Sequence, residues 1–107
     1  MFIRTIEVNL KHDMKPAFFK KFKGEVLPIL KKTPGFFDIV VLESETEPNT
    51  IFTISFWETK KNAEYYEKEW YPKVKATIEQ YFTTAPVVKY YTLEETFTEK
   101  LFATTTV

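Results

Sequence analysis

The stretch ISFWETKKNAEYYEKEWYP (54–72) gathers side chains suited to holding an aromatic molecule: two Trp, three Tyr and a Phe among seven charged groups. Trp57, Tyr66 and Trp70, joined by Tyr90, could line a pocket with apolar walls and a few hydroxyl or indole N–H handles, the usual make-up of a small-molecule site. A cofactor-free oxidation of a phenol asks little more of a protein. It needs the ring bound, a proton removed and water kept from the intermediate. The same residues also suit a plain core. Ala63, Tyr66, Trp70, Val74 and Ile78 step by three or four and form one apolar helical stripe.

The other candidates are single residues. His12 is the one histidine, the side-chain type suited to general acid–base work near neutrality. It precedes Asp13 in a segment that reads as a surface loop, so acting as a general base would require it to fold over the pocket mouth. Tyr66 is the other candidate acid or base. Arg4 interrupts an apolar strand face, where it could meet a substrate anion or a carboxylate of the chain itself. Lys60 and Lys61 open a helix and could hold an anion, with Glu58 and Glu64 near enough to offset them. Glu43, Glu45 and Glu47 straddle a turn and do not converge as a hard cation requires. With no Cys and one His, neither a disulfide, a thiolate nucleophile nor a multi-His metal site is available. Two glycines leave little scope for a phosphate loop. The expectation is a site with no metal and no cofactor.

Basic and acidic groups number 15 each, so no electrostatic footprint points to nucleic acid or an anionic membrane. No apolar run approaches the ~20 residues of a membrane span. The opening MFIRTIEVNLKHD alternates and lacks a signal-peptide core, so a soluble cytoplasmic domain is expected.

The elements that must position these residues follow from periodicity. FIRTIEVNL (2–10) alternates as a strand. Asp13 is placed to cap a helix whose apolar positions are Phe18, Phe19, Phe22, Val26, Ile29 and Leu30, with a kink expected at Pro28 and a stop at TPG (33–35). FFDIVVLE (36–43) is apolar on both faces, and its alternation sets Phe36, Val40 and Leu42 opposite Phe37, Ile39 and Val41. SETEPNT (44–50) is a turn, IFTISFW (51–57) the return strand, and Thr59 a cap for the second helix, which Pro72 should break. PVVKYYTLE (86–94) is a fourth strand. Residues 95–107 read as an extension or a fifth strand.

The order β-α-β-β-α-β predicts one α+β domain over 1–107, with its core at about 2–94: a ferredoxin-like antiparallel sheet with two helices on one face. Both sheet faces carry apolar side chains, yet helices cover only one. Each large side chain left wet would forgo ~1.5–3 kcal/mol. A homodimer through the sheet faces is the simplest cover.

FFKKFKGEVLPILKKTPGFFDIVVLE and ISFWETKKNAEYYEKEWYPKV carry a resemblance. The first shows a helix, a Pro-Gly-Phe stop and an immediate strand. The second shows a strand ending in Trp57, a cap at Thr59 and a small Ala63. Together they resemble the antibiotic biosynthesis monooxygenase (ABM) family of dimeric α+β barrels. That family includes cofactor-free oxygenases of quinol-like aromatics and haem-degrading enzymes. In the haem-degrading type, an Asn on the first strand, a Trp on the second helix and a later His form the site. Tyr66 stands here at the Trp position, no His stands near Ala76, and Asn9 falls on the opposite strand face, so haem held in that manner is not expected.

Two functions follow from the resemblance and the aromatic stripe. One is a dimer of unestablished reaction that binds a small hydrophobic or aromatic molecule between helices and sheet, with Trp57, Tyr66, Trp70, Tyr90 and Arg4 as the binding residues. The alternative is a cofactor-independent monooxygenase of a quinol-like or polyketide-like aromatic, with His12 or Tyr66 as acid or base. RNA-recognition domains share the element order, but these strands lack their basic-aromatic pattern.

Overall fold

A computed structural model describes residues 1–102. Four strands, β1 (Phe2–Asn9), β2 (Phe36–Glu43), β3 (Thr50–Trp57) and β4 (Val87–Thr92), form one antiparallel sheet in the order β2-β3-β1-β4. Two helical segments run between them. The first comprises α1 (Lys15–Lys21), a π-helical turn (Phe22–Val26) and α2 (Leu27–Lys32). The second comprises α3 (Lys60–Glu69) and α4 (Tyr71–Ile78). This is the α+β, split-βαβ arrangement that the periodicity predicts.

The core lies between the helices and one sheet face. Ile6 and Val8 of β1 and Ile51 and Trp57 of β3 meet Phe18, Phe22, Val26 and Leu30 from the first helical segment. Ala63, Tyr66, Val74 and Ile78 meet them from the second. Register sets which side chains share that face: Arg4 pairs with Ser55 and Tyr90, and Phe2 with Trp57 and Thr92.

Four local features differ from the sequence reading. Asp13 does not cap α1. It adopts a left-handed φ of 61°, and Met14 takes the cap position without a side-chain bond. The irregularity expected at Pro28 takes the form of a π turn just before it, where the Leu27 N–H donates to the Phe22 carbonyl, and Pro28 itself stands in the first turn of α2. A proline ring clashes with the carbonyl four residues back, here that of Gly24, and the widened turn moves that carbonyl away. Phe36 shares the helix-facing side with Ile39 and Val41, because β2 bulges: Phe36 pairs with Trp57 and Asp38 with Phe56, which leaves Phe37 as the extra residue. No fifth strand forms among the described residues after 92. Residues 100–102 make a 3₁₀ turn and Phe97 is 90% exposed, while the rest of the expected extension lies outside the described residues.

Other expectations hold. Pro72 sits in the first turn of α4, after a break at Trp70. Thr59 caps α3, its Oγ1 accepting from the Asn62 N–H at 3.1 Å. Gly35 stops the first helical segment at φ +80°. A Cβ there would strike the Asn62 side chain, so the chain reversal packs directly on the α3 cap.

Candidate functional site

A cavity of about 40 Å³ lies between helices and sheet. Its walls are apolar: Ile6, Val8, Phe22, Val26, Val74 and Ile78 are among its lining residues. One end is polar, where Arg4, Ser55, Tyr66 and Tyr71 meet.

Arg4 is the charge at that end, and it is buried at 5% exposure. It is held from three sides. Nε and Nη2 donate to the two carboxylate oxygens of Glu67 at 3.2 and 3.3 Å, a fork-to-fork pair. The guanidinium lies 4.3 Å from the centre of the Tyr71 ring and 5.4 Å from that of Tyr66. Tyr90, from the edge strand, donates its hydroxyl to Glu67 Oε1. The sequence left open whether Arg4 meets a substrate anion or an internal carboxylate. The structure gives it the carboxylate.

Tyr66 and Tyr71 are the phenols facing this end. Burial pushes the Tyr66 hydroxyl far above its ordinary value, and Arg4 pulls only partly against that. Tyr71 is raised for the same reason, again with Arg4 opposing. Both are neutral donors near pH 7. Tyr71 Oη is buried, and its polar neighbour is the Arg4 guanidinium, which pulls its pKa down through a side-chain contact outside regular hydrogen-bond geometry; no well-formed hydrogen bond reaches the hydroxyl from the described residues.

The remaining candidates are dispersed. Trp57 is fully buried, and its indole N–H donates to Ser55 Oγ at 2.9 Å, which in turn donates to the Arg4 carbonyl. It braces the site from the sheet and does not line the cavity. Trp70 turns to a cleft with Pro28, Ile29, Lys32 and Thr33, with Lys73 Nζ 5.0 Å from its ring centre. Tyr90 stands outside the cavity, 46% exposed, with its ring stacked on Phe2 at 6.1 Å. His12 lies in the turn after β1 with its side chain 88% exposed, against Asp13 at 3.2 Å.

Glu67 and Tyr71 went unmarked in the sequence. A buried Arg on a helix-covered face requires a carboxylate above it, and Glu67 follows the inward Tyr66, so the first was legible. Tyr71 was not. A regular helix would carry Trp70 inward four residues after Tyr66, but the break before Pro72 resets the phase and brings Tyr71 over the sheet.

Sheet, paired helices and a polar-ended cavity between them define a ferredoxin-like α+β protein. The profile of the antibiotic biosynthesis monooxygenase family matches residues 1–80. The chain belongs to that family. Solved structures agree on the fold. A candidate antibiotic biosynthesis monooxygenase of Nitrosomonas europaea is 18% identical, with 89% of this chain and 100% of that one covered at a TM-score of 0.73. Another from Caulobacter crescentus CB15 is 15% identical over 88% and 90%, at 0.76. A Streptomyces coelicolor monooxygenase, solved with the ligand nanaomycin D, is 11% identical over 90% and 89%, at 0.74. Among curated proteins, none matches the sequence significantly. Among the described residues no helix is long and apolar enough to cross a membrane.

Proposed function

We propose that the chain binds a small hydroxylated aromatic between helices and sheet, with the ring among Val26, Val74 and Ile78 and the oxygen on Tyr71 Oη. One observation carries this reading: a buried phenol hydroxyl with no well-formed hydrogen bond, beside Arg4 at the polar end of an otherwise apolar cavity. Such an unsatisfied group costs about 1–3 kcal/mol, which a ligand oxygen would recover. Tyr66 and Arg4 shape the polar end. Trp57 and Trp70 act at one remove, through the sheet and the helix break.

At 40 Å³ the cavity is smaller than the ~150 Å³ that holds a benzene ring. Binding therefore opens it, and the opening falls on the π turn, which supplies Phe22 and Val26 to the wall. Calorimetry with 2-naphthol tests this. Wild type is expected to bind it about tenfold more tightly than Tyr71→Phe does, the size of one hydrogen bond. Val26→Trp should abolish binding by filling the space. Equal affinity in all three proteins would overturn the reading.

Family membership favours a second reading, oxygenation of the bound aromatic. A ring CH₂ flanked by aryl groups would take up O₂ and leave as a ketone plus water, with no cofactor. Proton removal would fall to the substrate or to His12 after loop movement, since the neutral Tyr66 and Tyr71 are donors. Absence of oxygen uptake across a panel of quinols and anthrones would contradict it.

We further propose that two copies associate through their sheet faces. Leu42, Val87 and Tyr91 support this. They sit on the face turned away from the helices and are 45%, 48% and 49% exposed.

A further inference from the structure

A hollow larger than the cavity lies on the other side of the Arg4–Glu67 pair. A groove of about 580 Å³ runs along the outer side of α3 beside β4, a volume in the range of small-molecule sites. Its lining divides by chemistry. Phe2 and Tyr90 present stacked rings at 6.1 Å, and Tyr91 follows on the edge strand. Lys60, Glu64, Glu67 and Lys68 come from α3, at a spacing that places them on one helix face.

The charges decide the ligand. Glu67 is occupied by Arg4 and Tyr90. Glu64 stands one turn from Lys60 and one from Lys68, so it can neutralise only one of them. Neither lysine makes an ion pair with a described residue, and both are exposed. Lys60 and Lys68 balance Glu64 and Glu67 in the lining, but Arg4, buried behind it, already neutralises Glu67, which leaves one lysine charge without a partner beside the aromatic wall.

We propose that this groove is a second binding site, for a flat aromatic carrying a single negative charge such as a carboxylate. The ring packs against Phe2 and Tyr90, and the carboxylate meets whichever of Lys60 and Lys68 Glu64 leaves unneutralised. The Tyr90–Glu67 hydrogen bond fixes the aromatic wall and keeps Glu67 from competing for the lysines. The groove and the cavity are separate sites on either side of the Arg4–Glu67 pair, so this proposal stands independently of the cavity reading.

Titration with 2-naphthoate, followed by backbone amide shifts, tests it. Shifts are expected at residues 60–68 and 90–92. Affinity is expected to fall at least fivefold in both Lys60→Ala and Lys68→Ala, and again on moving from low to high salt. Naphthalene-2-carboxamide should bind at least fivefold more weakly. Val26→Trp, which fills the cavity, should leave 2-naphthoate binding unchanged. The proposal is overturned if 2-naphthoate does not bind at millimolar concentration, if the uncharged amide binds equally well, or if Val26→Trp removes binding.

Discussion

Arg4 shows how a single residue organises this site. Its guanidinium is buried, and Glu67 is its carboxylate. Removing Glu67 strands a charge in the core. Glu67→Gln is therefore expected to lower stability by about 3 kcal/mol in urea unfolding, the low end for a broken buried pair because Glu67 is itself part-exposed. Arg4→Met combined with Glu67→Gln should be more stable than Glu67→Gln alone. If the double variant is worse, the pair is not the unit described. The phenols beside Arg4 make a pH prediction. Both are raised by burial, while in the unfolded chain they ionise near about pH 10. Above that pH the native state holds more protons than the unfolded one. Stability that is fully present below it is thus lost as pH rises. Thermal melts should show a steeper alkaline fall in Tm for wild type than for Tyr66→Phe with Tyr71→Phe, and matching slopes would refute this. At this scale the sequence was partly readable. Arg4 stood out because a charge broke an apolar face, and Tyr66 because it fell on a stripe. Tyr90 and Trp70 stood out for their type alone, and chain direction took them elsewhere.

Among the elements, the breaks matter more than the runs. Period and capping foretold the strands, Thr59 and the interruption near Pro72. The β2 bulge was not foretold, since a run apolar on both faces gives no sign of a slipped register. Nor was the π turn, whose position depends on where the Pro28 ring meets the Gly24 carbonyl. The two glycines separate these effects. Gly35→Ala forces a left-handed φ on a side chain and drives Cβ into Asn62, undoing the α3 cap. A loss of about 2 kcal/mol or more is expected in chemical denaturation. Gly24 is exposed and helical, with open space where a Cβ would go. Gly24→Ala is expected to stabilise by about 0.5–1 kcal/mol. If Gly24→Ala instead destabilises, the π turn needs glycine for its own geometry.

For the whole molecule, strand order and helix placement were legible because β-α-β-β-α-β with apolar helix stripes admits few arrangements. The cavity was not, because its volume depends on how helices and sheet meet, which no local pattern encodes. Static light scattering at micromolar concentration should return twice the chain mass if the outer sheet face is covered by a second copy, and a monomer mass would contradict that proposal. Leu42→Glu, placed on that face, should shift the mass towards the monomer. The central claim is that an aromatic enters between helices and sheet with its oxygen on Tyr71. Methyl-resolved NMR during a 2-naphthol titration tests it most directly, since Ile6, Val26, Ile39, Val74 and Ile78 carry methyl groups on the cavity wall. The predicted result is a set of shifts centred on these five, weakened about tenfold in apparent affinity by Tyr71→Phe. Unmoved cavity methyls at saturating ligand, or shifts indifferent to Tyr71→Phe, would contradict it.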